Sequence, residues 1–164
     1  MYNLQNVTRM KTSLLLFVAL VLSATAFAQA PSFVDKNIGD AYQEYVKVKD
    51  ALIASKSADA KTAATSLQKK LAGVASAKSA AAEASKVSTA ATLDAQRLAF
   101  SSLSNEMAKL VKGAKLSSGT LYVDYCPMAN NNAGAFWLSN DKAIKNPYFG
   151  DKMLTCGMVK ETLQ

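Results

Sequence analysis

The sequence predicts a mainly α-helical protein: an up-down-up bundle of three helices with a compact C-terminal unit that contains a small β-hairpin. Between positions 34 and 110, apolar residues recur at the three- and four-residue spacing of amphipathic helices. Beyond Lys115 this period ends, and aromatic residues, Asn, Gly and Pro become frequent. The roughly 136 residues of 29–164 are enough for one domain with a real core.

The first 28 residues have the pattern of a signal peptide. Arg9 and Lys11 precede an apolar run from Leu14 to Leu22, and Ala26-Phe27-Ala28 offers the small residues of a cleavage site. The apolar run is well short of the ~20 residues that span a bilayer. We therefore expect cleavage after Ala28 and an exported protein, periplasmic or secreted, with no transmembrane anchor after cleavage. Met10 is an alternative start, because the signal is complete without the residues before it.

The charge of the exported chain is moderately basic. The full sequence has 19 Lys and Arg against 12 Asp and Glu, a formal charge of +7, and loss of Arg9 and Lys11 lowers it to +5. The lysines are scattered along the helical region rather than clustered with aromatic residues. This pattern predicts a solvated helix surface and no nucleic-acid partner.

The three predicted helices follow one another with short links, which favours antiparallel neighbours. The first extends from Val34 to about Ser55, and its stripe consists of Val34, Ile38, Ala41, Tyr42, Tyr45, Val48 and Leu52. The second begins at Ser57 and has an alanine-rich stripe that ends at Val74. The third carries Leu93, Gln96, Phe100, Leu103, Met107 and Leu110, and should stop near Gly113.

The segment from Ala77 to Ala91 is almost entirely Ala, Ser, Lys and Thr. It contains little that could be buried, so it is either a solvated extension of a helix or the connection between two helices.

The C-terminal unit, about 116–164, should contain two paired strands. Leu121, Val123 and Tyr125 alternate with Tyr122 and Asp124, which predicts a strand with Asp124 on the opposite face and Cys126 at its end. Residues 134–138 are the predicted partner strand, across a turn at 130–132.

Sulfur is the distinctive chemistry of this chain. Cys126 and Cys156 are the only cysteines. Met128 follows the first and Met158 the second, each at a distance of two residues, and the sequence has no histidine. Without histidine there is no Cys–His or Ser–His–Asp arrangement, and the cysteines do not form Cys-x-x-Cys. We therefore expect no enzymatic activity.

One hypothesis is a soft-metal site. Cu(I) and Ag(I) prefer thiolate and thioether ligands, and an extended Cys-x-Met points both side chains to one side. The candidate ligands are Cys126, Met128, Met153 and Cys156. Trp137 could lie over a bound cation, or be an ordinary core aromatic.

The alternative is a disulfide between Cys126 and Cys156. An even pair of cysteines in an oxidising compartment usually pairs, and closing a loop of this length is worth roughly 3–4 kcal/mol in the chain-entropy model. A redox pair that alternates between thiols and disulfide is a third possibility. Each of these hypotheses requires the two sulfurs to converge.

Long motifs in the chain resemble a bacterial domain family of unknown function. The C-terminal motifs are 121–129, 134–139, 144–150 and 153–157, and the helical part contributes Tyr42, Tyr45, Lys49, Leu52, Arg97, Phe100 and Ser104. That family occurs as free-standing exported proteins and fused to periplasmic adaptor subunits of copper and silver efflux systems. The resemblance implies a role in metal handling, with Cu(I) or Ag(I) as the ion and heavy-metal efflux components as partners. Met158 departs from it, since an acidic residue is expected there.

Two functions therefore remain open. The first is an exported soft-metal binding or efflux accessory domain that uses Cys and Met sulfurs. The second is a non-enzymatic interaction module that binds another envelope protein and is stapled by the Cys126–Cys156 disulfide.

Overall fold

The computed structural model describes residues 30–164 and is mainly helical, with a small antiparallel sheet near the C-terminus. The predicted signal peptide, residues 1–28, lies outside the described residues. Within residues 30–164, no helix combines the length and the apolar character that crossing a bilayer requires.

Four long helices make up nearly half of the described chain: α1 (Lys36–Ile53), α2 (Ser57–Leu71), α3 (Lys78–Thr89) and α4 (Leu93–Lys112). Asp35 caps α1, because its carboxylate accepts the backbone N–H of Asn37 at 2.8 Å. The predicted end of the last helix is confirmed, with Gly113 at its C-cap. Val34 does not belong to the α1 stripe, since it precedes the cap and is 64% exposed.

The predicted three-helix bundle is not confirmed, because the alanine-rich segment 77–91 forms a helix of its own, α3. Its buried residues, Ala80, Ala84 and Val87, follow the four- and three-residue spacing of a helix face. Each helix packs against the next one along the chain, and α4 also contacts α1. Alanine methyl groups can be fully buried between closely packed helices while adding little to the hydrophobic pattern, so the pattern did not show this face.

A row of buried aromatic rings joins the helices to the C-terminal unit. The ring centroid of Tyr45 lies 5.3 Å from that of Phe100, and Phe100 lies 5.8 Å from Tyr148. The Tyr45 hydroxyl accepts the backbone N–H of Leu138 at 3.0 Å and exchanges a hydrogen bond with Ser104 Oγ at 2.8 Å. These contacts fix the sheet to α1 and α4.

The predicted hairpin is confirmed. Strand β3 (Leu121–Cys126) pairs antiparallel with β4 (Ala135–Ser139), with Cys126 opposite Ala135 at its end. Three consecutive asparagines in the connection, 130–132, have positive φ angles of 53°, 55° and 68°. Asn130 anchors this connection to α4, because its Nδ2 donates to Ser101 Oγ at 2.7 Å.

A third strand, β5 (Met158–Leu163), pairs antiparallel with β3, so the sheet order is β4-β3-β5 and β3 is central. Strand β5 was not predicted from the sequence. A separate two-stranded pairing joins β1 (Ser32–Phe33) to β2 (Leu116–Ser118).

Asp124 is buried although it lies on the face of β3 opposite to Val123, as the alternation predicts. Asp124 pairs with Trp137 and Val123 pairs with Leu138 in a β3–β4 register without a break, and both residues are buried. The register shift in the β3–β5 pairing skips Lys160, so the extra residue belongs to β5. Both faces of β3 are therefore covered at this point, and Asp124 lies in the core.

Candidate functional site

The two cysteines lie side by side at one end of the sheet. Cys126 is the last residue of β3, and Cys156 lies in the segment just before β5. Their Sγ atoms are 2.7 Å apart, inside the contact distance of two unbonded sulfurs and longer than the ~2.05 Å of a disulfide bond. The two sulfurs thus converge, as both the metal-site and the disulfide hypotheses require.

Asn146 holds the backbone around Cys156 in place. Its Nδ2 donates to the carbonyl oxygen of Cys156 at 2.7 Å, and its backbone N–H donates to the carbonyl oxygen of Leu154 at 2.8 Å. Its Oδ1 accepts the backbone N–H of Tyr148 at 2.8 Å, and its carbonyl oxygen accepts that of Gly150 at 3.1 Å. Asn146 is fully buried, so one amide organises the segment that presents the second thiol.

Gly157 allows the chain to pass close to the sheet directly after Cys156. Its φ is +145°, in the region that favours glycine. A Cβ at this position would lie 2.8 Å from Cη2 of Trp137 and 3.1 Å from the carbonyl oxygen of Tyr125. Close packing against Trp137 and Tyr125 therefore requires a glycine directly after Cys156.

The two thiols differ in exposure. Cys126 is fully buried, whereas Cys156 is half-buried. The hydrogen bond with Cys126 raises the pKa of Cys156 to about 11, and partial loss of solvation adds to this effect. At neutral pH the Cys156 thiol is therefore protonated.

The methionines that flank the cysteines lie at the surface. Met128, Met153 and Met158 are 40%, 36% and 47% exposed, while Met107 on α4 is fully buried. Exposed thioethers of this kind are available to an external ion or partner, whereas a buried methionine fills the core.

Met128 and Met153 line the same open groove, of about 640 Å³. Leu98 from α4 and Phe149 complete its apolar lining, and the connection at 130–132 forms part of its rim. Neither cysteine lines this groove. The four predicted ligands therefore form two groups, a thiol pair and a thioether groove.

Met158 lies in a different place, on an exposed row that crosses the sheet. Tyr125 pairs with Met158 on one side and with Phe136 on the other. The ring centroids of Tyr125 and Phe136 are 4.6 Å apart, and Nζ of Lys160 lies 5.5 Å from the Tyr125 centroid. This row of aromatic and thioether side chains faces solvent. In the sequence, Tyr125 directly precedes Cys126 and Met158 follows Cys156 by two residues.

Trp137 is almost fully buried and packs edge-on against Tyr148, with ring centroids 6.0 Å apart. It contacts the Cys156–Gly157 segment through the close approach at Gly157. Its position is that of a core aromatic beneath the segment that carries Cys156.

Asp124 is a polar core residue that the sequence analysis missed. It pairs with Trp137 across β3 and β4, and neither its carboxylate oxygens nor the indole Nε1 has a hydrogen-bond partner among the described residues. Burial raises the pKa of Asp124 to about 7, while the charge of Lys49 opposes the rise and that of Asp141 adds to it. Lys49 on α1 is itself buried, with Nζ 3.3 Å from Asp50 Oδ1.

Within residues 30–164, no group of three or more His, Cys, Asp or Glu side chains is close enough to hold a metal ion. A metal at the thiol pair would therefore be completed by thioethers, backbone oxygens or an external ligand. Low-coordinate soft ions such as Cu(I) are compatible with such a set, whereas tetrahedral Zn(II) would be left half-filled.

Comparison with known proteins places the helical part of the chain beside a family of unknown function. Residues 41–119 match a family model described as "Protein of unknown function (DUF3347)". This match supports the predicted similarity to an unknown-function domain family, and the predicted association with efflux adaptors stays a prediction. No curated protein and no solved structure matches the chain. The matched span ends before Cys126, so the thiol pair lies outside it.

Proposed function

We propose that this chain is an exported, non-enzymatic soft-metal binding domain in which Cys126 and Cys156 supply two thiolates to Cu(I) or Ag(I). The observation that carries the proposal is the convergence of the only two cysteines, 2.7 Å apart, from β3 and from the segment before β5. In a chain without histidine, this pair is the strongest soft-donor group among the described residues.

The exposed thioethers support a role in capturing the ion. Met128 and Met153 line one groove, and both sulfurs belong to the class of ligand that Cu(I) and Ag(I) accept. We propose that these thioethers bind the ion more weakly than the thiol pair does, as an entry site or as additional ligands. The role as an accessory of heavy-metal efflux rests on the resemblance of the C-terminal motifs.

The test is competition for Cu(I) under anaerobic, reducing conditions. The reduced chain should withdraw about one Cu(I) per chain from a chromophoric chelator, and Cys126→Ser or Cys156→Ser should abolish this withdrawal. Met128→Leu should weaken binding, while Met107→Leu, which alters a buried core methionine, serves as the matched control and should leave it unchanged. If the reduced wild-type chain leaves the chelator fully loaded, the proposal is wrong.

The second candidate is an interaction module whose C-terminal unit is stapled by a disulfide. Two thiolates that share one metal ion stand further apart than 2.7 Å, so metal binding requires the two sulfurs to separate from their present positions. Bond formation requires them to approach instead. The exposed row of Phe136, Tyr125 and Met158 offers such a module a contact surface.

Thiol titration of the chain purified from the cell envelope separates the two candidates. Two free thiols per chain would support the metal site, and the absence of free thiols would support the disulfide. If the thiols are absent and Cys126→Ser lowers only the thermal stability, the interaction module is the better account.

A further inference from the structure

We propose that Cys126 and Cys156 form a reversible dithiol–disulfide couple that exchanges with small-molecule disulfides and thiols through Cys156 alone. This activity goes beyond metal binding and does not depend on it. It rests on the different access to the two sulfurs and on a scaffold that brings them together.

Access to the pair is one-sided. Cys126 is fully buried at the end of the central strand, whereas Cys156 is half-buried in the segment before β5. Thiol–disulfide exchange requires the attacking sulfur to approach the attacked disulfide directly. An external disulfide can therefore meet Cys156 Sγ, while Cys126 Sγ is reached only from its partner.

The scaffold holds the two cysteines adjacent. The buried Asn146 side chain donates to the carbonyl oxygen of Cys156, and the backbone N–H of Cys156 donates to the carbonyl oxygen of Met153 at 3.1 Å. Cys126 is held by its pairing with Ala135. Because both partners are positioned by the backbone, closing the bond requires little rearrangement, and the internal step has a high effective concentration.

The exchange runs in two balanced steps. The Cys156 thiolate attacks one sulfur of the external disulfide, whose S–S bond breaks, and one external thiolate leaves with the electron pair. Cys126, after losing its proton to solvent, then attacks Cys156 Sγ, which forms the internal disulfide and releases the second external thiolate. The two released thiolates take up two protons, so the protein dithiol is oxidised by two electrons and the external disulfide is reduced.

The consequence for metal binding rests on the proposed function. Once the internal disulfide forms, neither sulfur is a thiolate ligand. The redox state of the couple would then decide whether the site can hold a soft ion.

The test uses the reduced chain, without added metal, equilibrated anaerobically with mixtures of glutathione and glutathione disulfide. After acid quenching and alkylation, mass spectrometry should show wild-type protein passing between a doubly alkylated and an unalkylated form. Cys126→Ser should accumulate a glutathione adduct on Cys156. Cys156→Ser should form an adduct on Cys126 at least about tenfold more slowly, because a buried thiol reacts only through opening of the structure.

A measurement on the unmodified chain guards against misfolding of the variants. Brief alkylation of the reduced wild-type protein should label Cys156 before Cys126, as peptide mapping would report. The proposal is overturned if both cysteines are labelled at the same rate, or if wild-type protein stays as a glutathione adduct without closing the internal bond. Because no metal is present, failure here is distinct from failure to bind Cu(I).

Discussion

Asn146 donates a 2.7 Å hydrogen bond from Nδ2 to the carbonyl oxygen of Cys156, so a buried amide ten residues away determines where the second thiol lies. The same residue bonds Leu154, Tyr148 and Gly150. The sulfur pair is therefore a product of the segment 146–157 as a whole.

Replacing Asn146 with alanine should destabilise the chain by about 2–4 kcal/mol, because the carbonyl oxygen of Cys156 and the backbone N–H of Tyr148 both lose their partner. Urea denaturation monitored by circular dichroism measures this change. Alkylation of Cys126 should become faster, since the segment that covers it loosens. Asn37→Ala, at an exposed position in α1, is the control and should stay within about 0.5 kcal/mol. Equal stability of the two variants would contradict the assigned role.

The stability of the chain should fall as the pH rises from about 4 to about 7 through the titration of Asp124. Its folded pKa is raised to about 7 from 3.8, so the folded state binds the proton more tightly than the unfolded state does. The resulting stabilisation is complete below the unfolded value and is lost as the pH rises through the folded value. The groups facing Asp124 are Lys49, which opposes this shift, Asp141, which adds to it, and Trp137.

Asp124→Asn should remove most of this pH dependence and raise the melting temperature at pH 8 relative to the wild type. Thermal unfolding at pH 5 and pH 8 tests it, with Asp59→Asn, at an exposed position on α2, as the control that keeps the wild-type profile. A variant that is less stable than wild type at pH 8 would show that the ionised carboxylate has a compensating partner.

Gly157→Ala should destabilise the chain by about 1–3 kcal/mol and shift the fluorescence of Trp137. The added methyl group would lie 2.8 Å from the indole ring, in a backbone conformation with φ of +145°. Gly73→Ala is the matched control, because its added Cβ meets only the carbonyl oxygen of Lys70 at an ordinary 3.5 Å. If both variants unfold at the same urea concentration, the close approach at Gly157 has no energetic weight.

Arg97→Lys should destabilise the chain by about 2–3 kcal/mol. The guanidinium donates to the carbonyl oxygens of Pro147 and Leu52, both at 3.0 Å, and to Ser55 Oγ at 3.1 Å, and an ammonium group cannot reproduce this fork. Urea unfolding provides the measurement. Lys109→Arg, on the exposed face of α4, is the control and should be close to neutral. If Arg97→Lys leaves the free energy of unfolding unchanged, solvent replaces these hydrogen bonds in the variant.

The sequence was sufficient for the elements whose pattern is strong and local. The stripe around Tyr42 and Tyr45 predicted α1, and the alternation before Cys126 predicted β3. Helix α3 was not predicted as a separate helix, because Ala80 and Ala84 bury small side chains that hardly affect a hydrophobic pattern. Strand β5 is an edge strand with alternating half-exposed residues, a pattern that also fits an irregular loop.

The candidate site was predictable in composition but not in arrangement. The convergence of Cys126 and Cys156 was expected from their being the only cysteines of a chain that the sequence predicts to be exported. The burial of Asp124 depends on Trp137 and the other residues that cover this face of the sheet, which the pattern of β3 alone does not display. The placement of Met153 in the groove beside Met128 depends on the course of the segment 146–157, whose turns are held by Asn146.

The central position of β3 has a consequence for local opening of the molecule. A strand bonded on both sides exchanges its amide protons only when much of the molecule opens, whereas an irregular segment opens at far lower cost. Cys126 belongs to the first kind of structure and Cys156 to the second. A disulfide bond between Cys126 and Cys156 would tie the segment 146–157 to the sheet. The amides of 146–157 would then exchange as slowly as those of the sheet, and reduction of the bond would restore their faster exchange.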